Sequence, residues 1–244
     1  PVLVRRRKTE KAAAERGPWR MIPKTIHYCW FGRGEKDDMT KAYIAQWKNI
    51  LTDYEFIEWN EDNFDVNYCS FTKEAYIFKN YAFVSDVCRL KALYEMGGIY
   101  LDTDVEVLKP FDEYLSKGSF CSYEGKWIGT AAIGTEPHQE WVKAFLDYYT
   151  KRHFLNAWGH PVRMPNTKIL TIFVLPNMTD GRKPNVYPTD YFCAKDWKTN
   201  TVKKTENTVC VHHYACTWKR KRKTAWDRIR LFFKGIAVRY FYRQ

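Results

Sequence analysis

The sequence predicts an α/β protein with a mostly parallel sheet flanked by helices. Apolar segments with a strand pattern alternate with segments of helical periodicity through the first half of the chain. A double glycine, Gly97 and Gly98, separates a long helical pattern from a short apolar strand. The chain has 244 residues, of which 45% are hydrophobic, and this suffices for one domain with a sizeable core.

The first half of the chain gives the order strand, helix, strand, two helices, strand. This order is typical of a parallel sheet whose strands are joined by crossover helices. Asn80 marks the expected break between the two consecutive helices. The predicted strands are 24–32, 54–59 and 98–108, and the predicted helical segments are 39–50 and 71–96.

The second half of the chain is less regular. Residues 119–135 have the pattern of two short strands around a turn, and a helix is predicted over 137–152, with Pro137 in its first turn. A late strand is expected within 208–218. No clear element can be assigned over 155–200, which is rich in loop-forming residues.

The net charge of +12 is concentrated at the two ends of the chain. We expect one domain over residues 21–218, preceded by a disordered arm or expression remnant at 1–20 and followed by a basic amphipathic tail at 219–244. The first segment has seven Lys and Arg against two Glu, and the tail has ten against one Asp, so the domain itself is close to neutral. A near-neutral domain argues against a nucleic-acid groove, and we expect no nucleic-acid partner.

The cysteines and the apolar runs indicate a reducing, cytoplasmic location. The seven cysteines form no C-x-x-C pair, so a zinc site or a disulfide framework is not expected. No apolar run approaches the roughly 20 residues that a membrane-spanning helix needs. The first 20 residues also lack the apolar centre of a secretion signal.

Two aspartates, Asp102 and Asp104, follow the apolar strand after the double glycine. In a strand, residues two apart point to the same face, so the two carboxylates would lie side by side and repel each other. A hard divalent cation removes this repulsion and prefers oxygen ligands. On spacing alone, a metal site and an Asp-rich strand end that caps a turn are equally open.

Three ordered segments of the chain resemble glycosyltransferase family 32, which has the GT-A fold, a Rossmann-like α/β domain. The resemblance implies a nucleotide-sugar donor, a divalent cation (Mn²⁺, or Mg²⁺ in its place) and transfer with retention of the anomeric configuration. The clostridial glucosylating toxins are more distantly similar. The segments are "IPKTIHYCWFG" at 22–32, "YAFVSDVCRLKALYEMGGIYLDTDVEVLKPFD" at 81–112 and "HHYACTW" at 212–218.

The resemblance also implies roles for four charged residues. Asp104 would ligate the metal directly, and Asp102 would contact the donor ribose or the water shell of the metal. Asp86 and Arg89 match the "SD..R" helix of the family, whose Asp and Arg contact the donor sugar and phosphate. The alternative for this i,i+3 pair is a surface ion pair that contributes only about 0.2–0.5 kcal/mol.

Aromatic and small polar residues complete the implied donor site. Trp30 matches the tryptophan after the first strand, which would stack on the base, with a packed core position as its alternative. Ser85 and Tyr100 lie beside the charged residues and would touch the nucleotide, although a strand tyrosine is more often simply packed.

The late histidines resemble the family segment that closes over the diphosphate and completes the metal shell together with Trp218. Because adjacent strand residues face opposite ways, at most one of His212 and His213 can be a ligand, and we favour His213. Glu124 would face the acceptor or lie in a solvated turn.

The predicted function is metal-dependent, retaining transfer of a sugar to a glycan or lipid-linked saccharide acceptor in surface polysaccharide synthesis. A UDP-sugar is the first expectation for the donor and GDP-mannose the second. The alternatives are a nucleic-acid-binding protein that uses the basic tails, and a Mg²⁺-dependent hydrolase acting on phosphates through the same Asp pair.

The tail at 219–244 has the pattern of a basic amphipathic helix. Trp226, Ile229, Phe233 and Ile236 recur at helical spacing among the cations. Such a helix suits an anionic membrane surface, so a peripheral position at the inner face of the membrane is expected. A helix that packs on its own domain, with a solvated charged face, is the alternative.

Overall fold

The computed structural model describes residues 21–215 and 232–238. Its central feature is a seven-stranded sheet with the strand order β2-β1-β3-β7-β5-β6, in which β8 pairs with β5. The sheet strands are β1 (Thr25–Cys29), β2 (Glu55–Trp59), β3 (Gly98–Leu101), β5 (Phe120–Glu124), β6 (Trp127–Ile128), β7 (Ala132–Thr135) and β8 (Asn185–Tyr187).

The strand directions confirm the predicted α/β class with a mostly parallel sheet. β1 pairs in parallel with both β2 and β3, and β5 pairs in parallel with β8. β7 runs antiparallel to β3 and β5, and β6 runs antiparallel to β5. It follows that β1, β2, β3, β5 and β8 share one direction, and only β6 and β7 oppose it.

Helices pack on the sheet as the apolar periodicity predicts. The expected break in the long helical segment is present, since Lys79 has a positive φ of 54° and the next helix starts after Asn80. The helices of four or more residues are α1 (Asp38–Ile50), α2 (Ser70–Ile77), α3 (Tyr81–Met96), α4 (Glu140–Thr150), α5 (Asn166–Ile169) and α6 (Thr189–Phe192). A π-helical turn over Leu170–Val174 extends α5, and 232–238 are also helical.

The sheet is covered by apolar side chains on both faces. Ile99 and Leu101 of β3 belong to one buried cluster, which also contains Trp47 of α1. Tyr100, between them, belongs to a second cluster with Trp141 of α4 and residues of α3. The alternation of strand side chains therefore supplies a core above and below the sheet.

The predicted strand over 98–108 is wrong in one respect, because it is two strands in two sheets. β3 ends at Leu101, and β4 (Val105–Val107) pairs antiparallel with β9 (Cys210–His212) in a separate two-stranded sheet. The late strand predicted within 208–218 thus exists, but it is shorter and does not join the main sheet. The residues between β3 and β4 are Asp102, Thr103 and Asp104.

The least regular regions contain more structure than their sequence indicates. Residues 119–135 hold β5, β6 and β7 rather than two strands, and 155–200 holds α5, α6 and β8. None of the helices over 21–215 and 232–238 is both long and apolar enough to span a membrane.

Candidate active site

The Asp pair lies in a turn at the carboxyl end of β3. The backbone N–H of Val105 donates to the carbonyl of Asp102 at 3.0 Å, and the N–H of Asp102 donates to the carbonyl of Ala131 at 2.8 Å. Carboxylate oxygens of Asp102 and Asp104 and a ring nitrogen of His212 all lie within 4.8 Å of one another. The carboxylates are therefore close, as predicted, but turn geometry brings them together and strand alternation does not.

Arg89 connects α3 to this turn. One of its terminal nitrogens, Nη2, lies 3.1 Å from Asp86 Oδ1 and 3.0 Å from Asp102 Oδ1, and Nη1 donates to the carbonyl of Thr130 at 2.9 Å. Its guanidinium carbon lies 4.2 Å from the ring centroid of Tyr100. Asp86 and Arg89 are only 7% and 4% exposed, so the surface ion-pair interpretation is wrong.

Asp86 is buried between two polar partners. Besides facing Arg89, it accepts a hydrogen bond of 2.6 Å from Asn166 Nδ2. Burial raises its pKa to about 6, with Asp102 adding to the rise and Arg89 and Asn166 opposing it. The negative charge of Asp86 therefore depends on the two donors that hold it.

Asp104 is fixed by the segment that follows β9. Its Oδ1 lies 3.3 Å from His212 Nε2, its Oδ2 accepts from the N–H of Ala215 at 2.8 Å, and its carbonyl accepts from the N–H of His213 at 3.0 Å. Burial alone would raise the pKa of Asp104, but His212 and the Ala215 N–H outweigh it and lower the pKa. Asp104 is thus held as a carboxylate.

The same cluster favours the protonated, positively charged form of His212. Burial by itself would lower its pKa, but the Asp104 carboxylate, with Cys193 and Asp102 adding, raises the pKa well above its usual range. Its Nδ1 is buried and has no hydrogen-bond partner among the described residues. A cluster that pulls a proton onto an imidazole also attracts a divalent cation, whose binding would release that proton.

The donor set therefore fits a divalent cation. Two carboxylates supply the oxygen ligands that Mn²⁺ and Mg²⁺ prefer, and the His212 imidazole adds a nitrogen donor. Glu124, at the end of β5, has Oε2 3.9 Å from His212 Nδ1, and burial raises its pKa, with Asp102 and Asp104 adding and His212 opposing. Glu124, Cys193 and His212 also bring potential ligand atoms within 4.8 Å of one another.

His213, the predicted metal ligand, points away from this cluster. Its Nε2 lies 2.8 Å from Glu106 Oε2, and its ring stacks on Tyr43 at 5.4 Å between centroids. Only His212 of the two histidines faces Asp102 and Asp104, so the geometry favours His212 over the predicted His213 as the metal ligand. The reason is register, because β9 places His212 opposite Val105, the first residue after the Asp turn.

Trp30 lies just after β1, at the same edge of the sheet as the Asp turn. This edge is where open α/β sheets bind ligands. The indole is half-buried, its Nε1 donates to the carbonyl of Gly34 at 2.6 Å, and Lys36 Nζ lies 5.7 Å from the ring centroid. The Trp30 ring is therefore anchored and partly exposed at this edge, where it is accessible for the predicted stacking on a base.

The other side chains predicted to touch the nucleotide are Ser85, Tyr100 and Trp218, and the hydroxyls of the first two have different partners. The Ser85 hydroxyl donates to the carbonyl of Tyr81 at 3.2 Å, within its own helix. The Tyr100 hydroxyl donates to Asp102 Oδ1 at 2.9 Å, so it orients the carboxylate that Arg89 also holds. Trp218, with the segments 1–20 and most of 219–244, lies outside the described residues.

Asn166, Cys193 and Tyr214 are site residues that the sequence did not indicate. Cys193 Sγ lies 2.9 Å from the Tyr214 hydroxyl, and the Tyr214 ring lies 4.1 Å from that of His212. Asn166 and Cys193 come from the irregular 155–200 region, where no periodic pattern exists to signal them. Tyr214 was inside the late family-like segment, and its place next to the second histidine was the available signal.

Comparison with known proteins finds a family model that matches the part of the chain carrying the candidate site. Residues 37–121 match the family model described as "Glycosyltransferase sugar-binding region containing DXD motif". This match includes the Asp pair and the helix that carries Asp86 and Arg89. Residues 37–121 are therefore similar to the sugar-binding region of DXD-containing glycosyltransferases, which confirms the predicted resemblance. This similarity favours a glycosyltransferase over the nucleic-acid-binding protein and the hydrolase.

A curated protein is similar to this chain over part of its length. The chain is 29% identical over 179 residues to inositol phosphoceramide mannosyltransferase 1 of Schizosaccharomyces pombe. The aligned region covers 65% of this chain and 49% of the relative. The chain thus spans about half the length of this curated relative.

Solved structures with similarity include the PaToxG glycosyltransferase and a glycosyltransferase involved in the glycosylation of the major capsid of PBCV-1. The first has a TM-score of 0.45 and 19% identity, and covers 60% of this chain and 65% of that one. The second has a TM-score of 0.45 and 12% identity, and covers 88% of this chain and all of that one.

Proposed function

We propose that this protein transfers a sugar from a nucleotide-sugar to a saccharide acceptor with a divalent cation, and with retention of the anomeric configuration. The observation that supports this most is the convergence of Asp102, Asp104 and His212, whose potential ligand atoms lie within 4.8 Å of one another at the carboxyl end of β3. Carboxylates held this close repel each other unless a positive charge lies between them. A divalent cation in this position would also offset the negative charge of the donor diphosphate.

The side chains of the site have separable tasks in this proposal. Asp104 and His212 hold the cation, and Asp102 either completes the set or binds the donor ribose. Arg89, fixed by oxygen acceptors of Ser85, Asp86, Asp102 and Thr130, supplies positive charge beside the departing diphosphate. Asp86 accepts hydrogen bonds from the sugar hydroxyls, so that much of its effect is orientation of the donor. A bound Mn²⁺ or Mg²⁺ supplies Lewis-acid stabilisation of the leaving group.

Retention is explained by attack of the acceptor on the face that the leaving group occupies. The bond between the anomeric carbon and the diphosphate oxygen breaks, and the acceptor oxygen forms its bond to the same carbon. The acceptor proton passes to the departing phosphate oxygen. This route requires no protein nucleophile, and the described site supplies orientation and charge for it.

A UDP-sugar or GDP-mannose is the proposed donor. The name of the Schizosaccharomyces pombe relative, inositol phosphoceramide mannosyltransferase 1, supports mannose as the sugar and a lipid-borne acceptor. A role in surface polysaccharide synthesis is consistent with a glycan or lipid-linked saccharide as the acceptor. The basic tail at 219–244 would hold the enzyme at an anionic, cytoplasmic membrane surface, to which each nearby Lys or Arg contributes about 1 kcal/mol.

The experiment is a thermal-shift screen of UDP- and GDP-sugars with and without Mn²⁺, followed by transfer assays with the donor that stabilises the protein. Asp104→Asn should remove the Mn²⁺-dependent shift and lower kcat/KM at least about 100-fold, since even outer-shell changes at metal sites cost 10- to 100-fold. Glu106→Gln is the matched control, because this nearby carboxylate faces His213 instead. A folded Asp104→Asn enzyme with normal Mn²⁺-dependent activity would refute the proposal.

A further inference from the structure

A group of large apolar side chains is exposed where the loop around Gly159 meets the helical residues 232–238. Trp158 is 75% exposed and Phe233 is 63% exposed, and Phe232 and Ile236 are exposed as well. We call Trp158, Phe232, Phe233 and Ile236 the aromatic face. Single exposed apolar residues are ordinary on protein surfaces, but several large ones together indicate a binding surface.

The two segments are joined by glycines that touch. A Cβ added to Gly235 would lie 2.2 Å from the carbonyl oxygen of Gly159, which itself has a positive φ of 76°. The ring of His160 also lies 5.8 Å from that of Phe232. Because only residues without a side chain allow this approach, the loop and the helical segment form one continuous surface.

Trp158 is held outward by an ordered turn. Asn156 Oδ1 accepts from the N–H groups of Trp158 and His160, each at 2.9 Å. The N–H of Asn156 donates to the carbonyl of His160 at 2.9 Å. The N–H of Gly159 donates to the carbonyl of Asn156 at 3.0 Å. The indole is therefore presented by a closed hydrogen-bonded loop.

The helical residues 232–238 already use their other side to pack on the domain. Gly235 and Val238, three residues apart, are buried, and Val238 belongs to the main apolar cluster. Lys234 Nζ donates to the carbonyl of Ile77 at 2.7 Å. Since the buried side is satisfied within the domain, the apolar residues on the exposed side are available for a partner outside it.

Charge indicates which partner this is. The segment 219–244, which contains most of the aromatic face, has ten Lys and Arg against one Asp. Lys151 and Arg152 precede the Trp158 loop by a few residues. Protein–protein interface cores are depleted in charge, whereas Trp and Phe among many cations are typical of a surface that lies in an anionic bilayer interface.

We propose that the aromatic face inserts into the headgroup region of an anionic membrane and thereby presents the donor site to an acceptor carried by a lipid. Lys234, within the helical residues of this face, donates to the carbonyl of Ile77, three residues before Asn80. Arg163, three residues after His160 in the chain, donates from Nε to Asn80 Oδ1 at 3.1 Å. Asp86 follows Asn80 by six residues on α3, or about 9 Å of helix rise. The aromatic face and the donor-binding residues of α3 are therefore close. The acceptor part of this inference rests on the proposed function.

The test is co-sedimentation of the full chain with vesicles of phosphatidylcholine alone or of equal parts phosphatidylcholine and phosphatidylserine. The wild type should bind the anionic vesicles, and the double variant Trp158→Ser with Phe233→Ser should bind them at least about tenfold more weakly, because two large apolar side chains are lost from the interface. Trp158→Phe should retain binding. Trp197→Ser is the matched control, since Trp197 is 57% exposed elsewhere on the protein.

The outcomes separate this inference from the proposed function. Vesicle binding that the double variant retains in full, or a wild type that ignores anionic vesicles, would overturn the membrane assignment. The donor-plus-Mn²⁺ thermal shift, measured without vesicles, reports the proposed function independently and also verifies that the double variant is folded. If both hold, the wild type should glycosylate a vesicle-borne acceptor faster than the double variant, and equal rates would refute the presentation of a lipid-borne acceptor.

Discussion

Arg89 of α3 and Asp102 of the turn after β3 are joined by a contact of 3.0 Å between Nη2 and Oδ1. Arg89 is almost fully buried, so this contact connects the helix of the "SD..R" pattern to the Asp pair in an environment that screens charge weakly. The two motifs therefore act as one unit, and a change in either should alter both donor binding and stability.

Arg89→Lys tests this connection. A lysine keeps the charge but cannot reach two carboxylates and the Thr130 carbonyl from one planar group, so at least one buried acceptor loses its partner. We expect a loss of about 2 kcal/mol in the free energy of unfolding, measured in urea, together with weaker donor binding. Arg182→Lys at the exposed pair with Glu140 should change stability by less than about 1 kcal/mol. Equal effects of the two variants would contradict the buried bridge.

The two histidines allow a matched comparison at the metal site. His212→Ala removes the nitrogen beside Asp104, and we expect the Mn²⁺ concentration for half-maximal activity to rise at least about tenfold. Among the described residues, the His213 ring contacts Glu106 and Tyr43, so His213→Ala should leave that concentration within about twofold while reducing the melting temperature slightly. A Mn²⁺ titration in which His213→Ala has the larger effect would identify His213 as the ligand instead.

The sequence was most informative where structure is local. Helical and strand periodicity predicted the order from β1 to β3, because each element's buried face repeats within its own residues. The break near Asn80 was also predictable. The turn at Thr103 was not, since "YLDTDVEV" alternates well enough to continue as one strand, and pairing with β9 a hundred residues later decides otherwise.

The candidate site shows the same limit. Asp86, Arg89, Asp102 and Asp104 could be named because they belong to compact motifs. Asn166 could not, because it meets Asp86 across 80 residues and comes from a region without periodicity. The choice between the two histidines depended on the register of a short strand, which the alternation rule leaves undecided.

His27 should make stability depend on pH. Its Nε2 donates to the carbonyl of Gly97 at 2.8 Å, and its Nδ1 accepts from Trp59 Nε1 at 3.1 Å, so the buried ring is neutral. Burial lowers its pKa to about 4, although the Gly97 contact opposes this. Between pH 6.5 and 4 the unfolded chain therefore binds the extra proton, and acidification through this range destabilises the fold.

The measurement is urea unfolding at pH 7 and pH 5, with His27→Gln for comparison. The His27 contribution should fall by about 2 kcal/mol between these two pH values in the wild type. The His27→Gln variant should be less stable than the wild type at pH 7. Its free energy of unfolding should not show the His27-dependent fall between pH 7 and pH 5. The same pH dependence in both proteins would show that His27 is not the group that takes up the proton.

Gly98 should tolerate no side chain. Its φ is 99°, and an added Cβ would lie 2.7 Å from the carbonyl oxygen of Thr25 on the neighbouring strand β1. Gly98→Ala must therefore strain its backbone or separate β1 from β3, and we expect a loss of at least about 2 kcal/mol in the free energy of unfolding. Because Asp102 follows four residues later on the same strand and turn, donor binding should weaken as well.

Gly181→Ala is the control for that variant. No atom lies within 4 Å of a Cβ added at Gly181, so the change should alter stability by no more than about 0.5 kcal/mol. If Gly98→Ala were as stable as this control and bound donor normally, then β1 and β3 would not be as closely packed as the glycine indicates. The position of the Asp turn would in that case be set by the β4–β9 pair and the Arg89 bridge alone.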